Sequence, residues 1–172
     1  NGGKQRAINI GLDHAKGKLF FIVDSDDYIT DDAISKLEKY ESTIKNNSSF
    51  AGIAGLKGYS LDRVIGKFNE NEYVDCTNLE RIKYNLDGDK SEAYYTDILR
   101  KFKFPEIPHE KFVTERFVWD MVAASDYKIR WFNEIITICN YLEDGLTTRG
   151  KSLYVKNING DMAQSKYIKK GL

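Results

Sequence analysis

Cysteine and proline are scarce in this chain. Two cysteines in 172 residues, Cys76 and Cys139, cannot build a disulfide framework, and no C-x-x-C pair exists for zinc binding or thiol exchange. Both sit in apolar company, which predicts two buried free thiols and fits a reducing, cytoplasmic setting, including the inner face of a membrane. The only prolines, Pro105 and Pro108, share one short segment, which reads as a loop. No apolar run approaches the roughly 18–20 residues that span a bilayer. Neither sign of charge prevails: 26 basic and 26 acidic side chains cancel. That balance excludes nucleic acid as the main partner. His14 and His109 are isolated and make no zinc-ligand spacing. A P-loop and a Ser-His-Asp arrangement are missing as well.

What is present describes a folded α/β domain. With 41% hydrophobic and 30% charged residues the chain is not a disordered one. Its length suffices for one domain with a sizeable core. Ala7, Ile10, Gly11 and Ala15 share a helical face over residues 6–15, and Gly17 is placed to end that helix. Leu19 to Val23 is an unbroken apolar run, the signature of a strand covered on both faces in a parallel sheet. Thr30 reads as an N-cap for a helix carrying Ala33, Leu37, Tyr40 and Ile44 on one face. Phe50 to Leu56 and Tyr73-Val74 read as strands. Residues 92–102 read as a short strand or helix with a helical second half. Thr114 is placed to cap a helix bearing Phe117, Val118, Met121 and Val122. Residues 129–132 and 135–139 predict a hairpin around Asn133-Glu134. Tyr141–Thr148 reads as a polar loop, followed by Arg149 and Lys151 and a helical tail over residues 151–172. The strand and helix alternation predicts an α/β fold whose sheet is mixed but mostly parallel.

The sharpest chemical feature is Asp24-Ser25-Asp26-Asp27, directly after the apolar strand. Ligands of open α/β sheets bind beyond the carboxyl ends of strands. Clustered carboxylates repel unless a cation neutralises them, and hard oxygen ligands suit Mg²⁺ or Mn²⁺. Such an ion can neutralise a diphosphate. A solvated acidic turn ahead of a helix would look the same. Asp-x-Asp after an apolar strand fits two enzyme classes. One is a haloacid-dehalogenase-like phosphatase, which wants Thr or Val where this chain has Tyr28. The other is a nucleotide-sugar glycosyltransferase.

A longer pattern surrounds the cluster: Asn1-Gly2-Gly3-Lys4-x-x-Ala7-x-Asn9-x-Gly11-Leu12-x-x-Ala15-x-Gly17, then the strand, then the acids. It resembles the family 2 inverting glycosyltransferases of the GT-A fold. Gly88-Asp89-Lys90, Phe104-Pro105-Glu106, Glu110 to Glu115, Trp119, Asn133-Glu134 and Tyr141 to Thr147 are similar to bacterial members. The resemblance implies a GT-A nucleotide-diphospho-sugar transferase fold. It implies inverting transfer of a sugar from a nucleotide-sugar donor, a UDP-sugar in the first place, to a hydroxyl of a saccharide or lipid-linked saccharide, as in cell-surface polysaccharide synthesis. It assigns metal binding to Asp24, Asp26 and Asp27. Donor binding would fall to Lys4, Arg6, Asn9, Asp24, Ser25 and Asp26. Asp89, Lys90 and Trp119 would shape the acceptor side, and Trp119 and Trp131 are candidates to stack on sugar rings. Glu115 would be the general base, with Asp120 and Asp89 as alternatives. Arg116 follows Glu115 where many relatives carry an acid, which keeps an inactive, binding-only relative as the competing reading. The resemblance also places Asn1 well inside a catalytic domain. The chain is then expected to be a C-terminal portion, residues 1–150 catalytic and 151–172 a tail, lacking upstream nucleotide-binding elements. Homo-oligomerisation and peripheral membrane association of the whole protein stay open.

Overall fold

A computed structural model describes residues 2–140 except 69 and 111. The element order is α1 (Lys4–His14), β1 (Leu19–Phe21), β2 (Asp27–Ile29), α2 (Ala33–Ser42), β3 (Phe50–Ser60), β4 (Arg63–Val64), β5 (Tyr73–Cys76), a 3₁₀ helix (Asn78–Tyr84), β6 (Lys90–Tyr95), α3 (Thr96–Leu99), α4 (Arg116–Ala124) and β7 (Lys128–Cys139). The strands form one sheet in the order β1-β6-β3-β7-β2, with β4 added on β3 and β5 on β7. The helical tail, the Tyr141–Thr148 loop, Arg149 and Lys151 fall outside the described residues. Among the described residues no helix is long and apolar enough to cross a membrane.

The sheet is mixed, but the expectation of mostly parallel strands is overturned. Among the described residues only β3 and β7 run parallel, and the other pairings are antiparallel. The apolar run at β1 suggested a strand of a parallel sheet. Instead β6 lies between β1 and β3 and pairs antiparallel with both, while the elements packed on the two sides of the sheet cover the faces. β1 is shorter than its apolar run and ends the strand order. Leu19 and Phe21 lean on the α2 side of the sheet, Phe20 and Ile22 on the other, all half-buried.

Period-two alternation distributes the core over two layers. Ile53, Ala93, Phe132 and Ile136 point toward α2, where Tyr40 stacks on Phe132 with centroids 4.2 Å apart. Ala54, Tyr94, Ile129 and Trp131 point toward α1 and α4, meeting Leu12, Val118 and Val122. Trp131 is fully buried there and its Nε1 donates to the Cys76 carbonyl at 3.1 Å, which makes it a core residue. Cys76 and Cys139 are free and buried, as their apolar company predicted.

The predicted hairpin at Asn133-Glu134 does not form; β7 continues through it as one strand. Ala54 faces Trp131, yet Leu56 faces Ile135, so the polar pair bulges out of the parallel ladder. The extra backbone is used. Asn133 N donates to Glu72 O at 2.9 Å, and Glu134 accepts from the Tyr40 hydroxyl at 2.7 Å. Two polar residues between apolar runs mimic a turn, but here α2 and the segment just before β5 supply their partners. Thr30 and Thr114 likewise fall short of capping their helices, standing two and one positions before the caps, Asp32 and Glu115. Thr30 donates to Asp32 Oδ1 at 2.7 Å.

β3 and β6 approach so closely that Gly52 has no room for a side chain. A Cβ there would sit 2.2 Å from Ala93 O and 2.8 Å from Tyr94 Cα, both backbone atoms. Gly52→Ala is expected to cost about 3 kcal/mol through overpacking, read as a lower denaturant midpoint with an unchanged slope.

Candidate active site

The acidic run begins where β1 ends. A tight turn, with Asp27 N donating to Asp24 O at 3.1 Å, carries the chain from β1 to β2 and separates the three carboxylates. Asp27 turns inward, its side chain 7% exposed, with Lys57 Nζ of β3 3.2 Å away. The Cys139 thiol donates to the same Asp27 oxygen at 3.2 Å. Burial pushes that thiol up to about 12, so it stays protonated and keeps donating. Asp24 is half-buried, with Lys57 3.9 Å from one oxygen and Lys4 on the other. Asp26 is half-buried and has no ion pair among the described residues.

Lys4 joins two distant parts of the chain. Its ammonium contacts Asp24 and, at the same time, Glu115 beside the start of α4. Burial disfavours that charge, but Glu115 and Asp24 outweigh it and hold the lysine above its ordinary pKa. Burial opposes the Lys57 charge too, and Cys139, Asp27 and Asp24 raise it above the usual value. The site is therefore a compensated lattice, two cations shared among Asp24, Asp27 and Glu115.

These groups border a cavity of about 410 Å³. Lys4, Asp24 and Lys57 form one side. Thr114, Glu115, Arg116 and Trp119 approach from α4, Leu79, Arg81 and Ile82 from the 3₁₀ helix, and Lys90 and Glu92 from β6. Arg81 donates to the Leu86 and Gly88 carbonyls and lies 4.9 Å over the Trp131 ring. Lys90 donates to the Asp87 and Gly88 carbonyls. Burial, helped by Arg81, lowers the Lys90 pKa to about 8. Together they fix the turn that presents Asp89 to the cavity.

Of the residues singled out from sequence, the fold brings Lys4, Asp24, Glu115, Asp89, Lys90 and Trp119 to this cavity. Trp119 is only 5% exposed and stacks on Tyr94 with centroids 4.3 Å apart, so packing takes most of its ring. Ser25 is exposed beside the cluster. Arg6 and Asn9 do not line the cavity. Arg6 donates to Ile107 O and Glu110 O, both at 3.1 Å. Asn9 donates to Phe104 O at 2.9 Å and accepts from Phe104 N at 3.0 Å. Both pin α1 to the proline loop and so position Lys4. Asp120, an alternative base, is 1% exposed and accepts from Asn78 at 2.7 Å and Arg116 at 3.3 Å.

Lys57, Arg81 and Glu92 line the cavity and escape a sequence reading. Lys57 did carry a signal, a lone charge in an otherwise apolar strand, which must find a partner or a ligand; Glu92 shares its strand with Lys90 and carried none of that kind. Glu92 is the sharper case. Burial raises its pKa to about 7, only partly offset by Arg81 and Lys57, and Asp89 adds to the rise. A folded-state pKa above the unfolded value of about 4.3 costs stability as pH rises through that interval, and the cost is complete above the folded value. From pH 5 to 8 the wild-type Tm should therefore fall relative to Glu92→Gln, by about 2–4 °C per kcal/mol. Parallel Tm curves across that range would contradict the burial of this charge.

The cluster also bears on metal binding. Among the described residues no three His, Cys, Asp or Glu side chains converge as a ligand set. Asp27 is already committed to Lys57. Asp24 is shared with Lys4, and Asp26 alone of the three has no ion pair among the described residues; Mg²⁺ or Mn²⁺ would therefore be held here by one or two carboxylates with other oxygens from phosphate and water, not by a protein-only cage.

Residues 1–52 match the family model described as Glycosyl transferase family 2. That span holds α1, β1, the acidic turn, α2 and the start of β3, and the match supports a glycosyltransferase. No curated protein matches the chain. The mixed α/β sheet is consistent with a GT-A-like domain.

Proposed function

We propose that this cavity transfers a sugar from a nucleotide-diphosphate donor, most simply a UDP-sugar, to an acceptor hydroxyl with inversion. One observation carries the reading: Lys4 draws Asp24, at the carboxyl end of β1, and Glu115, beside α4, to the border of one cavity. Inverting transfer needs those two functions on opposite sides of one anomeric carbon, a donor-holding end and a base.

The chain's own residues divide the work. Asp24 and Asp26 face the donor's ribose and diphosphate. A bound Mg²⁺ or Mn²⁺ would offset the charge that builds on the departing diphosphate. Lys4 and Lys57 place fixed positive charge beside it, pre-organised by their carboxylate partners. Glu115 takes the proton of the acceptor hydroxyl as its oxygen attacks the anomeric carbon and the bond to the diphosphate breaks. The acceptor in this reading is a saccharide, of the kind used in cell-surface polysaccharide synthesis.

The test is Mn²⁺-dependent release of UDP from a panel of UDP-sugars, followed by coupled detection of free UDP. Release with at least one donor is expected. Neither binding nor release with any nucleotide sugar would sink the reading. A second reading, a binding domain without turnover, draws on Arg116, which follows Glu115 and pairs with Asp120 instead of adding an acid to the cavity. Tight donor binding with no turnover would favour it.

A further inference from the structure

On β6 the alternation sets Lys90, Glu92 and Tyr94 on one face, the face that meets α4. Tyr94 is covered by Trp119. Glu92 reaches the cavity instead. Among the described residues the cations around it are committed elsewhere. Arg81 holds the Leu86 and Gly88 carbonyls, Lys90 holds Asp87 and Gly88, and Lys57 holds Asp27. No side chain among the described residues hydrogen-bonds the Glu92 carboxyl. The other acids bordering the cavity that are equally withdrawn from solvent, Asp24 and Glu115, both have Lys4. A half-buried carboxyl without a donor is costly unless a ligand supplies one.

Resting on the transfer reading above, we propose that Glu92 determines acceptor specificity: its carboxylate receives two neighbouring hydroxyls of a neutral saccharide inside the cavity. Sugar hydroxyls are donors that suit a carboxylate without bringing a second charge. A cationic ligand would have to enter past Lys4, Lys57, Arg81 and Lys90, and an anionic one would meet Glu92 itself. The raised pKa of Glu92 agrees with a group that lacks its partner until the acceptor arrives.

The experiment titrates the full chain with methyl glycosides of glucose, galactose and N-acetylglucosamine, both anomers, by saturation-transfer NMR. At least one glycoside is expected to bind the wild type, and Glu92→Gln should weaken it about ten- to a hundredfold, as loss of hydrogen bonds to a charged group does. Glu92→Asp should recover part of that affinity. Failure of every glycoside to bind the wild type, or equal binding to Glu92→Gln, overturns the proposal. UDP release measured alongside separates the two failures. Release with no Glu92 effect rejects this residue alone, whereas Glu92-dependent glycoside binding without release keeps the residue and rejects the transfer reading. Retained folding of Glu92→Gln is checked by its Tm, which should not fall.

Discussion

Glu115→Gln is expected to lower turnover about 10²–10⁴-fold, the usual contribution of a positioned general base, with donor binding nearly unchanged. The substitution keeps the side chain's shape and removes its ability to take a proton. Lys4 retains Asp24, so the donor side of the cavity stays assembled. The readouts are kcat from UDP release and donor affinity from titration, and they should separate. Full activity in this variant would remove Glu115 from the chemistry and pass the role to Asp89, the remaining candidate that faces the cavity.

Asp26→Asn and Asp27→Asn should differ sharply although the residues are neighbours. Asp26 has no ion pair among the described residues, so its loss is expected to spare the fold and weaken Mn²⁺-dependent UDP binding. A metal contact to a transferring group is worth several kcal/mol, which at 1.36 kcal/mol per decade is about 10²-fold or more. Asp27 is inward-facing and shared between Lys57 and Cys139. Its loss leaves the Lys57 ammonium, whose side chain is 15% exposed, with only Asp24 at 3.9 Å. That should cost about 3 kcal/mol of stability, as stranding a buried charge does. Mn²⁺ titration with and without UDP, beside urea unfolding, reads both effects. Equal metal dependence in wild type and Asp26→Asn would count against the acidic turn as a metal site.

Local features of this fold were legible in the sequence. The 3.6-residue spacing around Ala33, Leu37 and Tyr40 marked α2, and the apolar run at Leu19 marked β1. The acids were found because they directly follow that run. Pairing direction was not legible, because an apolar run states that both faces need cover, which the packed layers give, and says nothing of which strand pairs with it or in which direction. Asn133-Glu134 read as a turn because the partners that make it a bulge, Tyr40 and Glu72, lie far away in sequence. Arg6 and Asn9 read as donor ligands because they belong to the motif. Their actual partners are loop backbone groups, 95 to 104 positions away for the contacts to Phe104 and Glu110. Lys57 is a single charge inside β3, Glu92 shares β6 with Lys90, and only the assembled cavity distinguishes a committed charge from a waiting one.

The most direct measurement is the anomer of the sugar first released when a UDP-α-sugar is hydrolysed in the absence of acceptor, followed by ¹H NMR before mutarotation. A single displacement assisted by Glu115, with water in the acceptor's place, gives the β-anomer first, and Glu115→Gln suppresses its appearance. The α-anomer first, or release unaffected by Glu115→Gln, would contradict the account.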